Sequence, residues 1–284
     1  MRIQRVASKW AKTEAILSDR LLTPYIPETR KFDDVSLSDM LLMYETVYIK
    51  PDRGTYGNGV MRAEIRSLSS ASRNGDLTKS ESDSIEPVQK SVYILRYGTQ
   101  AKVFRSVEEL HRAISDRIGG RLYIIQKGID LLKFKKRPFD LRVLVQTTLQ
   151  GNWETTGMLA RMAAPQKIVT NYHSGGQVLA PHEPLGSHMS TGELERTLKK
   201  LANLGVRASN GLQSAYPDIR ELGLDVAIDN HHDIWILEIN TMPSLIAFKK
   251  FADSSTYRKI RRYAAHYGRS GFSPDSSLRR RPPV

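Results

Sequence analysis

The chain of 284 residues contains no cysteine. That absence excludes a disulfide scaffold, a thiolate nucleophile and a cysteine-ligated zinc, and it fits a reducing cytoplasm. Long hydrophobic runs are missing too. No stretch approaches the roughly 18 apolar residues that a membrane-spanning helix needs, so no span is expected. Met1–Trp10 is of mixed polarity and lacks the apolar centre of an export signal, so export is not expected either. Aromatic residues are sparse, at 8%, but 40% of the residues are hydrophobic. This is enough for a real core and excludes wholesale disorder. At roughly 150 residues per domain, the length suggests two domains or lobes. No repeat of solenoid or propeller period is present.

Acidic residues are the other shortage, with 30 Asp and Glu against 43 Lys and Arg, a net charge of +13. The imbalance is concentrated at one end. Tyr257–Val284 holds eight Lys or Arg against the single acid Asp275, which is +7 of the total. Such a tail points to an anionic partner. Few aromatics interleave with these charges, Tyr257, Tyr263 and Tyr267 among them, so an anionic surface is expected ahead of nucleic acid.

Hydrophobic spacing divides the rest into helices and strands. Lys9–Leu22 reads as a short helix, and Pro24 and Pro27 make Leu22–Thr29 an extended connector. Leu37–Glu45 reads as a helix capped by Ser36 or Ser38, followed by a strand, Thr46–Lys50. Ala63–Lys90 is expected to be a hairpin with a long polar loop turning at Arg73–Asp76. Strands Ser91–Arg96 and Ala101–Phe104 precede a helix, Ser106–Ile118, capped by Ser106, and a buried strand, Leu122–Gln126. Beyond it come strands Leu141–Leu149 and Thr155–Met162 and a turn at Gly175–Gly176. A helix capped by Thr191 then runs towards Ala215. Strands Asp225–Asp229 and Ile234–Asn240 follow, with a last helix near Ser244–Ala265. The whole is an α+β pattern.

Three constellations carry chemistry. In the first, a strand ending at Lys50 runs into Pro51–Val60, with Gly54, Gly57 and Gly59. Glycines let backbone amides approach phosphate oxygens, and a lysine beside them completes a polyphosphate cradle. A plain hairpin turn is the alternative. The second is the strand pair ending in Asp225 to Asp229 and Ile234 to Asn240. If the hairpin closes at Asn230–Asp233, Asp229 faces Ile234 and Asp225 faces Glu238. Asn240, two residues on, shares the face of Glu238. Opposed carboxylates repel, and a hard cation resolves the conflict. Alternatively, Asp225 is solvated and Glu238 pairs with an arginine. The third is a set of arginines in apolar strands, Arg137, Arg142 and Arg161, which face either water or an anion. His231 and His232 read as turn residues, and His173 as a loop residue.

Taken in order, these segments resemble the ATP-grasp superfamily, and within it the YheC/YheD-like endospore coat-associated proteins. The resemblance covers about Lys9 to Leu245. It rests on Ser8-Lys9-Trp10, Pro27-Glu28-Thr29, Lys50-Pro51 with its glycine loop, Tyr123 to Ile129 and Arg137 to Gln146. It continues through Trp153 to Arg161, Thr170 to Gly176, and Gly223 to Asn240. The resemblance implies an ATP-grasp fold of two α/β lobes with ATP between them, lacking the usual N-terminal α/β domain. The N-terminal lobe would be 1–125, the C-terminal lobe 126–267, and 268–284 a disordered basic tail. Lys9 and Lys50 would contact the nucleotide, and Gly54, Gly57 and Gly59 would form a flap over its phosphates. Gln126, Lys127, Gly128 and Ile129 would hold adenine at a hinge, with Asp130 a weaker ribose candidate. Arg142 would serve the γ-phosphate, with Arg161 sharing that task or holding the acceptor. Asn171 would line the site, and Asp225, Glu238 and Asn240 would hold one or two Mg2+ ions, or Mn2+. Asp229 is a competing ligand, though strand parity favours Asp225.

The implied activity is a carboxylate–amine (or thiol) ligase acting through an acylphosphate and releasing ADP and phosphate. Its carboxylate and amine substrates are not named by the sequence. The alternative is a non-catalytic ATP-binding structural protein of the endospore coat, met through the basic tail. Localisation is expected to be cytoplasmic, or spore and spore-coat associated. No H-R-D or D-F-G motif occurs, which disfavours a protein kinase.

Overall fold

The computed structural model describes residues 3–55, 57–68, 90–164, 176–251 and 253–272. Its elements follow in the order α1 (Lys9–Leu17), a 3-10 turn (Thr23–Tyr25), β1 (Thr29–Lys31), α2 (Asp34–Tyr44), β2 (Thr46–Pro51) and β3 (Met61–Leu68). Then come β4 (Lys90–Tyr97), β5 (Gln100–Phe104), α3 (Val107–Ile118), β6 (Tyr123–Lys127), β7 (Lys133–Phe134), β8 (Arg137–Thr147) and β9 (Trp153–Met162). The last are β10 (Gln177–Leu179), α4 (His182–Leu185), α5 (Thr191–Ala215), β11 (Glu221–Ile228), β12 (Ile234–Asn240), α6 (Ile246–Phe251) and α7 (Ser254–His266). The Arg73–Asp76 turn, His173 and Gly175 lie outside the described residues. Among the described residues no helix is long and apolar enough to cross a membrane.

Two compact units divide the chain. The smaller is made of 30–51 and 59–128, the larger of 1–29, 52–58 and 129 onward. The chain passes between the units at 128/129, where 125/126 is the expected change of lobe, and its first 29 residues fall in the larger unit. They join the larger unit because Ile16 and Leu22, both fully buried, belong to its core.

In the smaller unit the strand order is β1-β6-β2-β3-β4-β5. Burial along β2 alternates, sending Val47 and Ile49 to the core and Tyr48 and Lys50 to the opposite face. Leu37, Met40 and Leu41 of α2 and Leu110 and Ile114 of α3 cover the core face. The cap of α2 is Asp33, not Ser36 or Ser38. Asp33 accepts from Ser36 N at 2.7 Å, and Ser36 Oγ accepts from Asp33 N at 2.9 Å, a reciprocal box that starts the helix earlier than expected. Ser106 caps α3 as expected, accepting from Glu109 N at 3.2 Å.

The larger unit is built on the order β10-β9-β8-β11-β12. One face carries Leu141, Val143, Val145, Leu224 and Val226 under Leu201, Leu204, Ala208 and Leu212 of α5. Each such buried side chain contributes about 1.5–3 kcal/mol, so the register is firmly set. The other face is divided. Leu144 and Leu159 lie under Phe248 of α6 and Ile260 and Ala264 of α7, and the remainder carries charge. Helix α5 is capped by Ser190 rather than Thr191, with Ser190 N donating to Glu193 Oε2 at 2.9 Å. The single last helix expected over Ser244–Ala265 is two, because Asp253 accepts from Ser255 N at 2.8 Å and Thr256 N at 2.9 Å and starts α7 afresh. Residues 268–272, expected in the disordered tail, belong to the fold. Arg269 forms an ion pair with the buried Glu221, and Phe272 packs on the Leu144 cluster.

Candidate functional site

Strand β8 sets the geometry in the larger unit. Its even positions, Asp140, Arg142 and Leu144, share one face. Asp140 stands directly opposite Arg161 of β9, and Arg142 opposite Asp225 of β11. Asp225 in turn stands opposite Glu238 of β12, and Asn240 follows two residues later opposite Gly223. Arg161, Asp140, Arg142, Asp225, Glu238 and Asn240 thus form a polar row across four adjacent strands. Sequence parity anticipates the Asp225–Glu238 pair. Beyond it the strands shift by a bulge, with Val226 opposite Ile236. The extra residue, Leu237, returns Ile236 to the core beside Ile239 while leaving Glu238 on the polar face. Asp229 therefore does not face Ile234. It closes the turn, accepting from His231 N at 2.9 Å, Asp233 N at 3.0 Å and Trp235 Nε1 at 2.8 Å.

The row is densely ion-paired. Arg142 Nε donates to Asp225 Oδ1 at 2.5 Å, and Arg161 Nη2 lies 3.0 Å from Asp225 Oδ2. Arg161 Nε also donates to Asp140 Oδ1 at 2.8 Å. Burial alone would push the Asp225 carboxyl up, but the Arg142 and Arg161 guanidiniums outweigh it and hold it below the ordinary carboxylate range. For Arg161 burial works against the charge, and Asp140 and Asp225 raise its pKa above the usual value. The arginines expected to face water or an anion face carboxylates of their own sheet. Arg137 is different. Its Nε donates to Ala163 O at 2.6 Å and fixes backbone.

Helix α1 supplies the next charges. Asp52, at the start of the glycine-containing loop, gathers the helix N-terminus. Its Oδ1 accepts from Ser8 Oγ and Trp10 N, both at 2.9 Å, and its carbonyl accepts from Lys9 N at 2.9 Å. Lys9 then points along the polar row, with Nζ donating to Gly54 O at 3.1 Å and lying 3.6 Å from Glu238 Oε1. The buried stripe of α1 is Lys9, Lys12 and Ile16. Lys12 is brought into the cluster although sequence reasoning passed over it. Burial lowers its pKa to about 8, against the opposing pull of Glu238. Asp52 and Asp140 were passed over as well. The i, i+3, i+7 spacing of Lys9, Lys12 and Ile16 was the available signal, since two lysines there continue the stripe of a buried isoleucine.

In the smaller unit Lys50 Nζ donates to Gln126 Oε1 at 2.5 Å, joining two expected nucleotide contacts from adjacent strands β2 and β6. Lys127 Nζ sits 5.1 Å from the Tyr44 ring centroid. Gly128 allows a close approach. A Cβ there would meet Thr46 O at 2.7 Å, where Gly128 N donates to that same oxygen. Gly54, Gly57 and Gly59 have φ of 148°, 73° and 76°, so the loop uses the freedom expected of it. Ile129 is buried in the larger unit, and Asp130 accepts from Asn230 Nδ2 at 2.9 Å. Asn171 lies outside the described residues.

The donor chemistry of Asp225, Glu238 and Asn240 suits a hard divalent cation: oxygen donors only, on one face of two paired strands. Among the described residues no three acidic or histidine side chains already converge at metal-binding distance. Asp225 is committed to guanidiniums and Glu238 to Lys9, so a cation would take these carboxylates in exchange for cations of the chain.

Comparisons with known proteins give the chain a family and a fold. The chain is 26% identical over 277 residues to endospore coat-associated protein YheD of Bacillus subtilis (strain 168), covering 95% of this chain and 56% of that protein. It is 23% identical over 236 residues to endospore coat-associated protein YheC of the same organism, covering 83% of this chain and 59% of that protein. The chain thus spans less than two thirds of the length of either relative. Among solved structures it shares its fold with D-cycloserine synthetase DcsG, with a TM-score of 0.52 and 10% identity over 89% of this chain and 69% of that one. The family model for YheC/D-like ATP-grasp proteins matches residues 3–270, and the chain belongs to that family.

Proposed function

We propose that this protein binds ATP with Mg2+ and acts as a carboxylate–amine ligase, activating a carboxylate as an acylphosphate with release of ADP. The observation that carries the reading is the polar row of the larger unit. Four cations, Lys9, Lys12, Arg142 and Arg161, meet four carboxylates, Asp52, Asp140, Asp225 and Glu238, on or beside one end of one sheet face. Phosphoryl transfer asks for no covalent nucleophile from the protein. It asks for positioned positive charge on the migrating group and on the leaving oxygens.

In this reading Arg142, with Arg161 behind it, turns from Asp225 to the transferring phosphate. Asp225, Glu238 and Asn240 would hold Mg2+, which when bound offsets the charge of the phosphate oxygens. Lys9 and Lys50 contact the phosphates, and the loop of Gly54, Gly57 and Gly59 offers amides to them. Gln126, Lys127, Gly128 and Ile129 take adenine, and Asn171 the second substrate. The exposed Arg258, Arg261 and Arg262 of α7 support contact with an anionic surface. The names of the relatives favour a second reading, nucleotide binding without turnover in an endospore-coat setting.

The test is incubation with Mg-ATP and pools of amino acids, dipeptides and small carboxylic acids, following ADP, AMP and phosphate, with Glu238→Ala as the blank. ADP and phosphate released only with particular pools support the ligase. AMP release counts against acylphosphate chemistry. A Mg-ATP thermal shift with no turnover moves the weight to the second reading.

A further inference from the structure

Among the described residues, Lys12 is the one cation of this cluster that holds no hydrogen-bond or ion-pair partner. It is only 5% exposed. The charged groups around it are Lys9 on its own helix, Asp52 from the loop, Asp225 of β11 and Glu238 of β12. Each of the three carboxylates is already engaged: Asp52 by Ser8 and Trp10, Asp225 by Arg142 and Arg161, Glu238 by Lys9. The helix N-terminus does not serve a ligand here either, because Asp52 and Ser8 accept from its first amides.

Lys12 occupies the middle of a buried stripe whose next member is Ile16. A methionine or leucine would fill that place without the desolvation cost of an ammonium. Packing therefore does not call for a charge at this position, and local ion pairing does not use it. Its Nζ is not among the fully buried unpartnered atoms of the described residues, so the ammonium meets the solvent edge of the cluster, where a ligand of opposite sign can reach it.

We propose that Lys12 is an oxyanion-binding group of this centre, closing on a phosphate or carboxylate oxygen of a bound substrate. The chemistry needed is one or two negatively charged oxygens, which an ammonium holds as a compact point charge. Two sources supply it: the terminal phosphate of the nucleotide, or the carboxylate to be activated. The assignment of those sources rests on the function proposed above, whereas the oxyanion site itself does not.

Calorimetric titration of the wild type, Lys12→Met and Lys12→Arg with four probes decides the matter: inorganic phosphate, acetate, Mg-ADP and a non-hydrolysable Mg-ATP analogue. Lys12→Met is expected to bind at least one probe more weakly, by about tenfold or more. Lys12→Arg is expected to keep part of that affinity. The melting temperature of Lys12→Met is expected to rise, which a merely structural lysine would not produce. A loss for the ATP analogue without a loss for Mg-ADP assigns the terminal phosphate. A loss for acetate and phosphate with both nucleotides unchanged assigns the carboxylate. Unchanged affinity for all four probes overturns the proposal, as does a lowered melting temperature with equal losses for both nucleotides. A wild type that binds phosphate through Lys12 but no nucleotide overturns the functional reading and leaves this one standing. A wild type that binds none of the probes overturns both.

Discussion

Strand β11 carries two buried carboxylates on one face, four residues apart, and their surroundings differ in kind. Glu221 is fully buried and closed on every side. Tyr267 Oη donates to its Oε2 at 2.8 Å, Arg269 pairs with it, and Gln146 Nε2 donates to Tyr267 Oη at 2.6 Å. Thr156 Oγ1 completes the chain by donating to Gln146 Oε1 at 2.6 Å. Asp225 is held by Arg142 and Arg161, but its cluster also contains Lys12, an ammonium with no partner among the described residues. A buried network that closes on itself fixes structure, here the far end of α7 against the sheet. A network in which one ammonium stays unpaired has a hydrogen-bond donor to offer a visitor. Buried charge alone does not mark a site; the incomplete pairing does.

The contrast can be broken, starting with the largest effect. Glu221→Ala leaves the largely buried Arg269 with Pro243 O but without its carboxylate and is expected to cost about 3 kcal/mol of stability. Chemical denaturation measures that cost, and the affinity for Mg-nucleotide, measured on the folded fraction, should stay at the wild-type value. Glu238→Ala should do the reverse. It should keep the fold and lose about 100-fold in Mg-dependent nucleotide affinity, the upper end of what metal-site changes produce. Equal affinity with and without the carboxylate would remove Glu238 from the metal set. In the same direction, Arg142→Ala should lower turnover more than nucleotide affinity, and equal losses of the two would place the side chain elsewhere than at the transferring phosphate.

A smaller effect follows from pH. Lys12 faces Lys9 on α1, Asp52 on the loop, Asp225 on β11 and Glu238 on β12, and burial lowers its pKa from 10.5 to about 8. A lowered lysine pKa costs stability while the group is charged in both states. The cost is full below pH 8 and disappears as pH rises from 8 to 10.5. Lys12→Met should therefore be more stable than wild type by up to about 3 kcal/mol near pH 7, with the gap closing by pH 10.5. Paired thermal melts across that range test it, and a constant gap would contradict the buried-cation account. The smallest effect separates two neighbours in sequence. Asp229→Ala loses the hydrogen bonds that close the β11–β12 turn and should cost about 1 kcal/mol, with nucleotide affinity unchanged.

The sequence made one half of the site readable and hid the other, for physical reasons. Strand parity has a period of two, so pairing Asp225 with Glu238 needed only a guess at the turn, and the pair stands in register. The bulge at Leu237 was not readable, because one extra residue in a strand leaves no mark in composition, and Asp229 was misplaced by one position as a result. The arginines of β8 and β9 announced themselves as charges in apolar strands. Their partners did not, since cross-strand neighbours are distant in sequence. Lys12 was hidden by habit: lysines on a short helix are read as solvated, and only the stripe shared with Lys9 and Ile16 says otherwise. Helix starts suffered from a local ambiguity. Asp33 and Ser36, or Ser190 and Thr191, are equally able to cap, and the packing that follows decides between them.

The discontinuity of the larger unit has a consequence for how the chain is made. The smaller unit draws on 30–51 and 59–128, so all its strands have left the ribosome once residue 128 has emerged. The first 29 residues have no such early partner. Ile16 and Leu22 belong to the same core cluster as Val143, Leu224 and Ile239, residues synthesised more than a hundred positions later. During translation α1 must wait, its lysines in water, while a complete unit forms downstream of it. The lysines of α1 thus leave the ribosome well before the strands that bury them, and the long sequence separation of these contacts slows their closure.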